Sequence, residues 1–255
     1  MLLWQSLLLG LVQGLTEFLP VSSSGHLVLF QSWLGFTESD VLFDVCLHLG
    51  TVLAVIAVYW RDILDIFRHF FSKITLFYII AAIPVALGGF LLNDLVTGLF
   101  GKPLFVCFAL LLSGLWMFLA DFMHGYKEQR EMHWYDALVI GIFQGFAIVP
   151  GLSRSGSSIF GALLMGMERP AAARFSFILS VPVVLGAGIY EFYGAVKTAG
   201  AAAFHWVYLP GILLATVAGY LAIKFFVALL TRGKTRYFAF YCWALAIVSL
   251  LIIIF

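Results

Sequence analysis

The chain has 255 residues, 63% of them hydrophobic and 11% charged, with a net charge of +1 and a mean hydropathy of +1.07. So apolar a composition lies outside the range of a water-soluble domain, and the near-zero net charge gives no case for nucleic acid as a partner. The apolar runs are continuous rather than alternating, which excludes a membrane β-barrel and leaves an all-α integral membrane protein.

The first segment, residues 2–34, is apolar but broken at its centre. Its start does not read as a cleavable signal, because no Lys or Arg precedes Arg61 and Gln5, Gln13 and Glu17 interrupt the run. Gln13 and Glu17, four apart, share one helix face. Pro20 stops that helix, and Ser22, Ser23 and Ser24 can cap the next one, turning its N–H groups toward an anion; His26 follows. Irregular backbone at membrane depth persists only where protein or a water-filled cavity satisfies it, so the segment reads as a re-entrant helix-loop-helix hairpin. Three full spans come next, at 41–60, 75–93 and 103–120, each long enough for a hydrocarbon core of about 30 Å. Asp44 and His48, four apart on the first of them, can make a polar contact within the bundle or touch the site. Cys46, Cys107 and Cys242 lie inside apolar runs without paired spacing and read as packing residues.

The second broken segment, 136–166, repeats the first. Laid without gaps over residues 10–25, residues 141–156 match Gly10, Gln13, Gly14, Ser22, Ser24 and Gly25, and each copy carries a proline before its serines, Pro20 and Pro150. Internal repetition fixes architecture. Spans at 171–191, 207–230 and 237–255 complete the second copy, so residues 1–123 and 136–255 form two repeats within one membrane domain of residues 1–255. Each repeat is one hairpin plus three spans; three is odd, so the repeats are expected upside down relative to each other, with the site at their interface. Charge supports this. Arg61, Arg68, Lys73, Lys127, Arg130, Arg169, Arg232, Lys234 and Arg236 fall in one set of loops, and only Lys102 and Lys197 in the other. The positive-inside rule puts the first set in the cytoplasm, and the two polar loops then approach from opposite faces.

Ionisable groups at membrane depth are costly and carry a functional hypothesis. The first loop offers Glu17, Ser22, Ser23, Ser24 and His26; the second offers Ser153, Arg154, Ser155, Ser157 and Ser158 at the start of a half-helix. A guanidinium, two helix N-termini, hydroxyls, an imidazole and a carboxylate suit a phosphate or diphosphate: Arg154 forks to its oxygens, and a hydroxyl attacks phosphorus while His or Glu handles the proton. The plainer alternative is that the serines and glycines only let helices pack closely. Arg174 is either a further phosphate ligand or a charge that sets topology. A flippase or other transporter with an anion site is the rival function, since broken helices in inverted repeats often serve alternating access.

Gln13-Gly-Leu-Thr-Glu17-Phe-Leu-Pro-Val-Ser-Ser-Ser-Gly-His26 resembles the first signature of the bacterial undecaprenyl-diphosphatase family of bacitracin-resistance type, and Pro150-Gly-Leu-Ser-Arg-Ser-Gly-Ser-Ser158 resembles its second. Phe43 to Gly50 and Ala172 to Phe177 are similar to flanking patterns, so the likeness covers nearly the whole chain. The resemblance implies hydrolysis of a C55 polyprenyl diphosphate to its monophosphate with a divalent cation, Mg²⁺ or Ca²⁺. It places a multi-pass protein in the bacterial inner membrane, with the active site open to the periplasmic face, a lipid substrate among membrane lipids, and a homodimer as one assembly open to it. It implies Ser23 as the favoured nucleophile, with His26 or metal-bound water as alternatives, and His26 as acid/base. Glu17 would serve the metal or a proton, Arg154 and Ser153 would grip phosphate, and Ser22, Ser24, Ser155 and Ser158 would assist. Gln13 stands where many members have Glu, so it is a metal ligand of reduced charge; Ser158 stands for the more usual Thr.

Overall fold

The computed structural model describes residues 2–33, 41–100, 102–199 and 205–254. The described residues form eleven α-helices and one turn of 3₁₀-helix at Gln129–Glu131. The α-helices are α1 (Leu3–Phe18), α2 (Ser23–Trp33), α3 (Val41–Arg68), α4 (Lys73–Leu91), α5 (Asn93–Phe100), α6 (Pro103–Asp121), α7 (Trp134–Phe146), α8 (Arg154–Leu164), α9 (Arg169–Ala199), α10 (Tyr208–Thr231) and α11 (Arg236–Ile254). Six of them, α3, α4, α6, α9, α10 and α11, are long and apolar enough to cross a membrane, matching the six expected spans. Two details differ. The first span does not end near residue 60: α3 bends at Tyr59 (φ −111°, ψ 26°) and continues to Arg68. The helix α5 occupies a stretch read as connection. At about 1.5 Å per residue, none of α1, α2, α7 and α8 reaches the thickness of a hydrocarbon core of about 30 Å.

The two breaks are built alike. Leu19 precedes Pro20 and is extended (φ −72°, ψ 142°), because the proline ring crowds a helical residue before it. Ser22 then caps α2: its hydroxyl accepts the Gly25 N–H at 3.1 Å. In the second copy Ser153 caps α8 by accepting the Gly156 N–H, also at 3.1 Å, after Gly151 turns the chain at φ +94°, a conformation open to glycine. The matched Ser and Gly of the repeat are thus the two ends of one capping hydrogen bond.

The other matched glycines govern packing. A Cβ on Gly10 would strike the backbone of Gly211 in α10, and one on Gly141 would strike the backbone of Ala81 in α4. So α1 lies along α10 while α7 lies along α4, and α3 meets α9 as α6 meets α11. Each short helix that leads into a break packs on the second full span of the other half of the chain. In lipid the hydrophobic effect does not drive helices together, so such close backbone approach supplies dispersion contact instead. Polar staples tie the basic rim: Arg169 donates to the Asp121 and Met123 carbonyls at 2.9 and 3.1 Å, and Lys127 pairs with buried Asp136 at 3.0 Å. These two cations, read first as topological charges, therefore also hold helix ends together.

Candidate active site

The two loops meet. Gly151 N–H donates to the Ser24 hydroxyl at 3.5 Å, and the Ser155 hydroxyl donates to the Leu19 carbonyl at 3.2 Å. At their junction the last turn of α1 presents Glu17, buried at 5% exposure. One turn earlier, Gln13 Nε2 donates to Glu17 Oε2 at 2.8 Å. The hydroxyl of Ser23, the first residue of α2, donates to the same oxygen at 2.5 Å. Arg154, the first residue of α8, forms an ion pair with the other oxygen, Oε1. From α3, His48 Nε2 stands 3.7 Å from Oε2, and its Nδ1–H donates to the Asp44 carbonyl at 2.8 Å. One carboxylate is therefore held by an amide, a hydroxyl and a guanidinium from three helices, with an imidazole from a fourth beside it. A narrow cleft beside it is lined by Glu17, Phe18, Arg154, Ser155, Ser176, Phe177 and Ser180.

Two buried polar atoms at this junction make no hydrogen bond with the protein: Arg154 Nη1 and Gln13 Oε1. A buried polar atom is met in folded proteins by a partner, whether protein, water or ion. Arg154 Nη1 is a cationic donor suited to a phosphate oxygen. Gln13 Oε1 and the Glu17 carboxylate are hard oxygen donors of the kind that Mg²⁺ and Ca²⁺ take. Among the described residues no cluster of three or more His, Cys, Asp or Glu is gathered for a metal, so a cation here would complete its shell with substrate oxygens. The residues present fit that arrangement.

The family described as bacitracin resistance protein BacA matches residues 6–248. The chain belongs to this family. It is 44% identical to the undecaprenyl-diphosphatase of Halothermothrix orenii, over 99% of this chain and 97% of the relative. It is 38% identical to the proteins of that name from Carboxydothermus hydrogenoformans, over 98% of this chain and 97% of the relative, and Thermomicrobium roseum, over 99% and 98%. With six helices able to span a bilayer, this BacA family member is a multi-pass membrane protein.

Of the residues singled out from sequence, Gln13, Glu17, Ser23 and Arg154 come together. The serines around them serve the backbone. Ser22 and Ser153 cap α2 and α8, Ser155 lies 3.2 Å from the Ser153 hydroxyl, and Ser158 donates to the Arg154 carbonyl at 2.9 Å. Ser24 ties the two loops together. Arg174 makes its ion pair with Asp62 of α3 rather than with Glu17. His26 does not face Ser23, although one turn of helix separates them: its Nδ1 meets the Ser22 carbonyl at 2.8 Å and its Nε2 meets the Tyr241 hydroxyl at 2.7 Å. The acid/base partnership expected of Ser23 and His26 lacks its hydrogen bond, because Ser23 points to α1 and His26 to α11. His48, read from sequence as a bundle contact or a residue touching the site, comes within 3.7 Å of Glu17; an ionisable residue within a span was its signal. Tyr241 and Ser180 carried none, and Ser176 only its place in the Ala172 to Phe177 stretch.

Proposed function

We propose that this chain hydrolyses undecaprenyl diphosphate to undecaprenyl phosphate and inorganic phosphate at the junction of its two broken helices. The observation that carries the reading is the meeting of Ser23, Glu17 and Arg154, drawn from both signatures, in a family whose relatives are named undecaprenyl-diphosphatases. Those names favour hydrolysis over the flippase alternative. The Ser23 oxygen attacks the terminal phosphorus while Glu17 Oε2, already accepting its proton at 2.5 Å, takes that proton. The bond from phosphorus to the bridging oxygen breaks, and the lipid monophosphate leaves with its electron pair. Arg154 Nη1 holds a nonbridging oxygen while Nη2 keeps its hold on Glu17. Water then attacks the phosphoserine, and the Ser23 oxygen recovers its proton from Glu17. His48, with a side chain 30% exposed, is placed to pass the proton of the attacking water outward.

A divalent cation held by Glu17 and Gln13 Oε1 would neutralise charge on the diphosphate. The segregated basic loops, the short paired helices and the exchange of α1 and α7 between halves support an inverted repeat with re-entrant hairpins. They also support an inner-membrane site open to the outer face, which a lipid could reach sideways with its tail still in hydrocarbon. The deciding experiment measures phosphate release from C55 diphosphate by purified protein, with and without a chelator, and maps any trapped phosphate. Label on Ser23 is expected; full turnover by Ser23→Ala would replace serine attack with direct attack by water.

A further inference from the structure

His26 and Tyr241 lie outside the group around Glu17, yet they are joined by contacts that converge on the turn before Ser23. The Ser22 carbonyl can only accept, so the nitrogen 2.8 Å from it, His26 Nδ1, carries a proton. His26 is 2% exposed and has no carboxylate partner among the described residues, which suits a neutral ring. Its lone pair then sits on Nε2, and the Tyr241 hydroxyl donates into it at 2.7 Å. The two rings are parallel to within 3°, with centroids 5.6 Å apart. Neither ring nitrogen is left over for Ser23.

The turn they reach is a strained one. Ser22 has φ +66°, and a non-glycine residue stays in that region only where its surroundings over-determine it. Its carbonyl accepts both the backbone N–H of His26 at 3.1 Å and the ring Nδ1–H, so His26 grips it twice. The helix that supplies Tyr241 touches the same loop again one residue on, where Cys242 Sγ donates to the Pro20 carbonyl at 3.6 Å. Ser23, next after the strained residue, sends its hydroxyl to Glu17.

We propose that Tyr241 and His26 form a positioning relay: the last helix of the chain fixes the imidazole tautomer, the imidazole holds the Ser22 turn, and the turn aims the Ser23 hydroxyl. The relay rests on the reading of Ser23 as nucleophile, and it gives His26 work that requires an N–H donor but no proton transfer.

The test compares variants by kcat and KM on C55 diphosphate, after size-exclusion and melting profiles have shown each to be folded. Asparagine places an amide N–H near the position of Nδ1 yet cannot act as acid, base or nucleophile. His26→Asn is therefore expected to keep most of the kcat that His26→Ala loses. Tyr241→Phe retains the ring and removes the donor, and should lower kcat about ten-fold with KM unchanged. In the His26→Asn background Tyr241→Phe should cost nothing further, because its partner nitrogen is gone. An Asn variant as inactive as the Ala variant would overturn the relay and return His26 to proton transfer or nucleophilic attack. So would a Tyr241→Phe effect that is absent, falls on KM, or persists in the His26→Asn background. Full activity in Ser23→Ala is a separate result, removing the serine reading itself.

Discussion

Replacing Arg154 by lysine keeps the charge and removes the fork. In the structure one guanidinium does two things: Nη2 is committed to Glu17, and Nη1 is buried without a protein partner. A lysine has a single nitrogen on a flexible stem and cannot hold the same two positions. If it stays with Glu17, the phosphate loses one charge-assisted hydrogen bond; if it turns to phosphate, Glu17, 5% exposed, loses its cation. Hydrogen bonds to charged groups contribute about 1.5–3 kcal/mol, which corresponds to roughly 10- to 150-fold in kcat/KM. The assay is phosphate release from C55 diphosphate in detergent micelles, with wild type, Arg154→Lys and Arg154→Ala at matched protein. Arg154→Ala should also lower the melting temperature, because removing one partner of a buried pair typically costs about 3–5 kcal/mol. Arg154→Lys within three-fold of wild type would refute the argument and leave Arg154 as a point charge.

Gln13→Glu sets a carboxylate against Glu17, where an amide now donates at 2.8 Å. The concentration of Mg²⁺ or Ca²⁺ giving half-maximal activity should fall in this variant, and an unchanged or raised value would count against Gln13 as a ligand. Cysteines placed at Lys102 and Lys197 should react with an impermeant reagent added outside cells, while those at Arg68 and Lys127 stay protected; labelling of all four would end the inverted-repeat reading. Gly141→Leu would drive a side chain into the Ala81 backbone and should destabilise the purified protein by about 1–3 kcal/mol. The same change at half-buried Gly89, where an added Cβ meets no neighbour within 4 Å, should be close to neutral in a melting profile.

The six spans, the two broken segments and the repeat are legible in the sequence, because each rests on local properties: apolar length, a proline that stops a helix, a serine three residues before a glycine. The pairing of Glu17 and Ser23 with Arg154 could be expected only in outline, as two polar loops with complementary chemistry. Which hydroxyl faces the carboxylate is not legible in composition, where Ser22, Ser23 and Ser24 are equivalent, and only the family resemblance favours Ser23. The left-handed Ser22 and the start of α2 choose Ser23 and spend Ser22 as a cap. The partner of His26 is hidden for the same reason: helical spacing puts it one turn from Ser23, but its Nε2 meets the hydroxyl of Tyr241, 215 residues away in sequence. Arg174 goes to Asp62 because α3 runs on beyond its bend at Tyr59 to lie beside α9. His48 comes to Glu17 from the same helix. Contacts of this kind depend on how helices cross, and the glycines four apart in each copy mark a face for close approach without naming the helix that will meet it. Local sequence decides where each helix begins and stops; only tertiary packing decides which side chains meet.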